Sequence, residues 1–271
     1  MSLDDIARRG LVLLGCGRMG GAMLDGWLAR GLPPAAVWVL DPAPPEGLGP
    51  RGVHLNEEPP ARPAVALVAV KPQMMDTALP RLEGLAGPDT LVISVAAGTP
   101  LARFEAAFGA ETPVIRAMPN TPAAVGAGVS AIIGNAAATE AHLALAEELL
   151  SAVGQVVRLA HEDQMDAVTG VSGSGPAYVF HMIEALAQAG EAEGLARDLA
   201  MALARATVAG AGALAAQSEE RAETLRRNVT SPGGTTAAGL AVLMDEAQGL
   251  PPLMRRTVAA AAARARELRD G

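Results

Sequence analysis

A chain of 271 residues with 21 basic and 29 acidic side chains has a net charge of −8, and no basic cluster is dense enough to track nucleic-acid phosphates. Half of the residues are hydrophobic but only 2% are aromatic, so the core must be packed from Ala, Val, Leu and Met. The single cysteine, Cys16, excludes an intramolecular disulfide framework and suits a reducing cytoplasm.

The first residues include Asp4 and Asp5 and no long apolar run, so no signal peptide is expected. Leu11–Leu14 is an apolar run entering a glycine-rich turn, and helical spacing follows over Gly21–Arg30. Val37–Leu40 predicts a second strand ending at Asp41, ahead of a Pro/Gly-rich loop from Pro42 to Pro50. Ala64–Val70 is a third strand, closed by Lys71-Pro72. Leu91–Val95 and Val114–Ala117 follow as buried-type strands. Val129–Ile133 and Gln155–Leu159 flank a helix near Thr139–Val153. Short β-branched runs separated by helices predict an α/β fold with a mainly parallel, helix-covered sheet.

Beyond about His161 strand signals stop. Pro176–Gly190, Ala196–Ala216, Ala237–Met244 and Leu253–Leu268 have helical patterns. The boundary is therefore set near 160–163, with a dinucleotide-binding domain over 1–161 and an all-helical domain over 162–271. A helical domain this small is expected to bury apolar surface against a second copy, as a homodimer. The alanine-rich stretches are broken by Gly, Arg or Glu before roughly 18–20 residues, so no membrane span is expected.

Gly15-Cys16-Gly17-Arg18-Met19-Gly20 follows a predicted strand and opens a predicted helix, the context that a dinucleotide fingerprint demands. The first glycine makes the turn, the second admits the pyrophosphate and the third lets helix and strand pack closely. Asp41 ends the second strand about 20 residues further on, where a carboxylate meets the ribose. That carboxylate favours a free ribose hydroxyl and repels a 2′-phosphate, while Arg18 in the loop has the opposite effect, so both NADH and NADPH stay open. Ala69-Val70-Lys71-Pro72 and Met118-Pro119-Asn120-Thr121-Pro122 lie after predicted strands, at the ligand-binding edge of such sheets. By position Lys71 is a cofactor contact rather than a solvated loop cation. Asn120 fits two roles equally, orienting the nicotinamide amide or capping a turn. Cys16 is a small loop filler, with no resolving partner.

Late in the chain, Val229-Thr230-Ser231-Pro232-Gly233-Gly234-Thr235-Thr236 interrupts the helices. Pro232 and the paired glycines disfavour helix, and the helix after them leaves free N–H groups beside several hydroxyls. This is a ready site for a small carboxylate, although a plain capped turn has the same composition. The four histidines, His54, His142, His161 and His181, show no partners, and no metal-ligand spacing occurs, so no metal is expected.

Taken together, the glycine loop, Ala69–Pro72, Arg116–Pro122, Thr169-Gly170-Val171-Ser172-Gly173-Ser174-Gly175-Pro176-Ala177-Tyr178 and Val229–Thr236 resemble the Δ1-pyrroline-5-carboxylate reductases nearly end to end. The resemblance implies NAD(P)H-dependent hydride delivery to the C=N carbon of a cyclic imine, giving L-proline in the last step of its synthesis. It also implies a cytoplasmic enzyme whose dimers interlock through the helical domain and assemble further into rings. Ser231, Gly233, Gly234, Thr235 and Asn228 would hold the substrate, with Thr236 as the catalytic group near the imine nitrogen. Gly15, Gly17, Arg18, Met19, Gly20, Asp41, Ala69, Val70, Lys71, Pro72 and Asn120 would hold the cofactor. A β-hydroxyacid dehydrogenase shares the two-domain plan, but its catalytic lysine position holds Val179 and its asparagine position Met182. An imine reductase for uncharged products would not need the Ser231–Thr236 run, and a nucleotide sensor would not turn over.

Overall fold

The computed structural model describes residues 2–270. A short helix α1 (Leu3–Arg9) leads into strand β1 (Leu11–Leu14) and helix α2 (Arg18–Ala29). Strands β2 (Val37–Leu40), β3 (His54–Leu55), β4 (Val65–Val68), β5 (Leu91–Ser94), β6 (Val114–Met118), β7 (Gly128–Gly134) and β8 (Gly154–Arg158) complete one sheet of eight. Between them lie α3 (Met75–Ala78), α4 (Leu101–Phe108) and α5 (Glu140–Ser151). The sheet order is β3-β2-β1-β4-β5-β6-β7-β8, parallel except where β6 meets β7. Order therefore reverses between β1 and β4, the crevice where open α/β sheets take their ligands.

Every residue of β1, β4 and β5 is buried, because helices cover both faces. Alternation sorts them. Leu11, Leu13, Val37, Val39, Val65, Leu67, Leu91 and Ile93 pack with Met23, Leu24 and Trp27 of α2. Val12, Leu14, Leu40, Ala66, Val68 and Val92 pack with Met75, Leu82 and Phe104 on the other face. Trp27 supplies aromatic bulk, and its Nε1 donates to the Leu149 carbonyl at 2.8 Å, so its polar end is satisfied.

The predicted strands all form. Helix α2 begins at Arg18 rather than Gly21, because the glycines of its first turn are helical in this packing. In this part of the chain, sequence patterning missed α1, α3, α4 and the two-residue β3, all too short to show a period.

The rest is helical: α6 (Gln164–Val168), a π-helical turn over Thr169–Gly173, α7 (Gly175–Ala192), α8 (Arg197–Gln217), α9 (Ala222–Asn228), α10 (Thr235–Leu243) and α11 (Leu250–Asp270). The chain forms two compact units, Met1–Gly173 with Ala261–Gly271, and Ser174–Ala260. This division differs from the expected 1–161 and 162–271. The reason is local: Met165 and Asp166 are buried, Asn120 Nδ2 donates to the Ser172 carbonyl at 3.1 Å, and Arg269 pairs with Asp166 at 2.6 Å. Composition marks where strands stop, whereas these contacts mark where packing stops.

In the second unit α7 and α8 pack through small residues, Ala187, Ala200 and Ala204, and a Cβ on Gly190 would lie 3.3 Å from the Ala200 Cβ. Helix α8 is long and apolar enough, by length and composition, to cross a membrane. Arg205, Gly210 and Gly212 interrupt it, while Arg197 and Asp198 lie in its first turn.

Candidate active site

Strand β1 delivers the chain to Gly15 at the sheet's C-terminal edge. Gly15 has φ +91°, and a Cβ there would lie 2.9 Å from Val70 Cγ1 and 3.0 Å from the Ala69 carbonyl carbon. A Cβ on Gly20 would lie 2.2 Å from the Gly15 carbonyl oxygen, so α2 rests directly on the turn. Gly17, the residue before α2, is different: a Cβ there would meet nothing within 4 Å. The first intrahelical bond runs from the Gly21 N–H to the Gly17 carbonyl, leaving the N–H groups of Arg18, Met19 and Gly20 without a helical partner. An open position ahead of those donors is what a pyrophosphate requires, so the residues present fit a dinucleotide.

Asp41 stands beside this loop. Its Oδ2 accepts the Cys16 N–H at 2.6 Å and its Oδ1 accepts the Ala43 N–H at 2.8 Å. Asn56, with φ +54°, brackets the Asp41 backbone: its Nδ2 donates to the Asp41 carbonyl at 2.8 Å and its Oδ1 accepts the Asp41 N–H at 2.9 Å. A cavity of 440 Å³ brings together Gly15, Gly17, Asp41, Ala69, Val70 and Lys71 of the expected set, with Leu14, Leu40, Pro42, Met74, Thr77, Ala78 and Arg81. Thr77, Arg81 and Asn56 were not singled out from sequence, since they lie in short helical turns or just after the two-residue β3, where no motif runs. Arg18 is exposed at the start of α2 and Met19 packs partly on the core. Pro72 lines a neighbouring cavity of 470 Å³ with Gln73, Ala97, Gly98 and Thr99.

The amide of Asn120 is engaged at both ends, accepting the Val129 N–H at 2.9 Å and donating to Ser172. These bonds make it a brace between β7 and the π-helical turn, and its side chain makes no cap bond to the turn that follows it. Gly173 closes that turn against Met118, whose Cε would lie 2.7 Å from an added Cβ. Arg116, 3% exposed, donates to Glu162 Oε1 at 2.7 Å, and the same oxygen accepts the Leu101 N–H at 2.9 Å.

Burial pushes the Cys16 thiol up to about 11, and the Asp41 carboxylate adds to the effect. Cys16 is fully buried and protonated at neutral pH, which agrees with a loop filler. Titration of the folded protein at pH 8 with a thiol-specific disulfide reagent is expected to detect no fast-reacting thiol, and one after denaturation. Rapid labelling of the folded chain would contradict this.

Three of the four histidines do have side-chain partners. His54 stacks on Trp38 with ring centroids 4.3 Å apart and pairs with Glu57, and His181 pairs with Glu184. His142 Nδ1 accepts the Thr139 N–H at the start of α5, and burial lowers its pKa.

In the second unit, Gly233 takes φ +70° and Gly234 donates its N–H to the Ser231 carbonyl at 3.1 Å, which closes a turn. Helix α10 starts at Thr235, two residues earlier than expected, because the turn ends at Gly234. The Gly234 N–H is thus used internally. The donors left are the N–H groups of Thr235, Thr236 and Ala237, since the first helical bond comes from Ala238. Ser231, Thr235 and Thr236 are exposed with their hydroxyls. Thr230 is not part of this set, because its hydroxyl donates to the Arg226 carbonyl at 2.6 Å. Asn228 ends α9 with its Nδ2 donating to Glu220 at 3.1 Å.

A family profile described as pyrroline-5-carboxylate reductase dimerisation matches residues 162–268, and one described as NADP oxidoreductase, coenzyme F420-dependent, matches 10–98. Pyrroline-5-carboxylate reductase from Pseudomonas aeruginosa is 40% identical over 266 residues, covering 96% of this chain and 97% of that protein. The chain belongs to the pyrroline-5-carboxylate reductase family. The Synechocystis reductase is 49% identical over 213 residues, 79% of this chain and 78% of its own. Among solved structures, the reductase from Coxiella burnetii superposes with a TM-score of 0.88 at 34% identity, over 96% of this chain and 98% of that one. The Plasmodium falciparum pyrroline carboxylate reductase, solved with NADP bound, gives 0.78 at 27% identity, over 96% and 98%. A reductive aminase from Aspergillus terreus, at 19% identity and TM-score 0.53, shares the fold alone.

Membership in the pyrroline-5-carboxylate reductases makes this an NAD(P)H-dependent oxidoreductase, and it sets aside the β-hydroxyacid dehydrogenase reading.

Proposed function

We propose that this protein reduces 1-pyrroline-5-carboxylate to L-proline with NADH or NADPH, the last step of proline biosynthesis, in the cytoplasm. The observation that carries the reading is the first turn of α10, where hydroxyls and free N–H groups converge after the Gly233 turn, on a chain whose other unit holds a dinucleotide cradle. A bound reduced nicotinamide supplies the hydride. Ser231, through its hydroxyl, and Thr235, through hydroxyl and N–H, hold the substrate carboxylate, helped by the positive end of α10. Thr236 lies near the imine nitrogen and relays a proton to it. With a hydride supplied to carbon, the C=N π pair would pass to nitrogen, where the Thr236 relay would hold the proton that balances it. A protonated cyclic iminium is already electrophilic, so orientation carries most of the acceleration and no strong acid is needed.

The same reading makes the protein a homodimer. Phe180, at 59% exposure, Val179, Met182 and Leu186 of α7 and Leu199, Leu203 and Leu214 of α8 form apolar surface that a second copy covers. Only 11% of the apolar window of α8 is buried within the chain, and the profile matching this region is a dimerisation one. Light scattering is expected to give at least twice the 27.4 kDa chain mass, with a larger multiple marking the ring of dimers that the resemblance implies.

The deciding assay follows the absorbance of reduced nicotinamide with pyrroline-5-carboxylate. Ser231→Ala and Thr236→Ala are each expected to lower kcat/KM by about 10- to 100-fold, the worth of a hydrogen bond to a charged group. Cofactor binding with no turnover would sink the reductase reading.

A further inference from the structure

We propose that this chain selects NADH over NADPH, through an Asp41 carboxylate that the fold prevents from turning aside. The proposal rests on the cofactor reading of the glycine-loop cavity. A carboxylate at this position accepts the hydroxyls of an adenine ribose and repels a 2′-phosphate, but a freely rotating one can swing away. Asp41 has no such freedom. The Cys16 N–H, in the glycine loop itself, holds Oδ2 at 2.6 Å, and the Ala43 N–H holds Oδ1 at 2.8 Å.

The backbone is fixed as tightly as the side chain. Pro42 restricts φ immediately after Asp41. Asn56 pins both the N–H and the carbonyl of Asp41 with the two ends of one amide. To do so Asn56 stays at φ +54°, a left-handed conformation uncommon for a residue other than glycine. A 2′-phosphate would therefore meet a fixed negative charge.

Among cations that would offset it, Arg18 is the one in the glycine loop itself, exposed on the first turn of α2 and not on the loop after β2 that meets the ribose; the others are engaged or enter from elsewhere. Arg51, the nearest basic residue downstream, is held by Asp25 at 2.7 Å. Lys71 and Arg81 line the same cavity but come from the segment after β4, not from the loop after β2 that meets the ribose hydroxyls. A relative with NADP bound shows that the fold accepts the phosphate, so the selection belongs to these residues.

Titration calorimetry of the full-length protein with NADH and with NADPH, without substrate, tests this. NADH is expected to bind at least tenfold more tightly. Asp41→Asn, which keeps an acceptor but removes the charge, and Asp41→Ser should each shrink that ratio severalfold. Asn56→Gly retains the backbone conformation but frees Asp41, and should shrink it as well. Equal or tighter NADPH binding by the unmodified protein overturns the proposal, as does an unchanged ratio in both Asp41 variants. Binding of neither cofactor overturns the proposal together with the cofactor reading beneath it. Selective NADH binding without turnover of pyrroline-5-carboxylate supports the proposal while defeating the reductase reading.

Discussion

Gly17→Ala is expected to weaken NADH and NADPH binding by at least about tenfold, or ~1.4 kcal/mol, with only the small loss of melting temperature that a poorer N-cap brings. The added methyl meets no protein atom within 4 Å, and Gly17 has φ −69°, which alanine adopts without strain. Its only conflict is with a pyrophosphate lying against the free N–H groups of α2. Gly20→Ala should behave differently. There the methyl falls 2.2 Å from the Gly15 carbonyl oxygen, a backbone atom that cannot move without opening the turn. Overpacking of this kind costs about 1–3 kcal/mol or more, so both stability and cofactor affinity should drop. Parallel melting curves and cofactor titrations check the pair. Full cofactor affinity in Gly17→Ala would remove the assignment of that open position to the pyrophosphate.

Arg269→Ala is expected to be strongly destabilising. Asp166 has a side chain 8% exposed, and Arg269 approaches it at 2.6 Å. Removing the guanidinium leaves a buried carboxylate without its ion-pair partner, which typically costs about 3–5 kcal/mol. For a chain of this size that corresponds to a fall in melting temperature of roughly 6–20 °C. The double variant Asp166→Asn with Arg269→Met removes both charges and should melt well above Arg269→Ala. A single variant as stable as the parent would show that this pair does not hold the end of α11 to the first unit.

Much of the fold was legible because its signals are local. Leu11–Leu14 and Val37–Leu40 match the observed strands, since buried parallel strands are continuous apolar runs bounded by turn residues. The glycine loop was legible for the same reason: each glycine answers a steric demand set within a few residues. Helices as short as α4 and α9 were not, because about two turns carry too little periodicity to separate from loop.

Site residues divide in the same way. Gly15, Gly17, Asp41, Ala69, Val70 and Lys71 do line one cavity, because each ends or follows a strand of the same sheet edge. Asn120 was ambiguous from sequence and became a brace only once Val129 and Ser172 were beside it. Asn56 carried no sequence signal at all, since its role depends on the pairing of β3 with β2.

The α/β class, the glycine-loop cradle and the family could be read along the chain, because strand runs, glycine spacing and motif order lie in consecutive residues. The unit boundary at Gly173, the burial of Asp166 against Arg269 and the immobilisation of Asp41 emerge only in the folded chain. Each of these depends on groups far apart in the chain, and burial and pairing acquire an energy only when folding removes both partners from water.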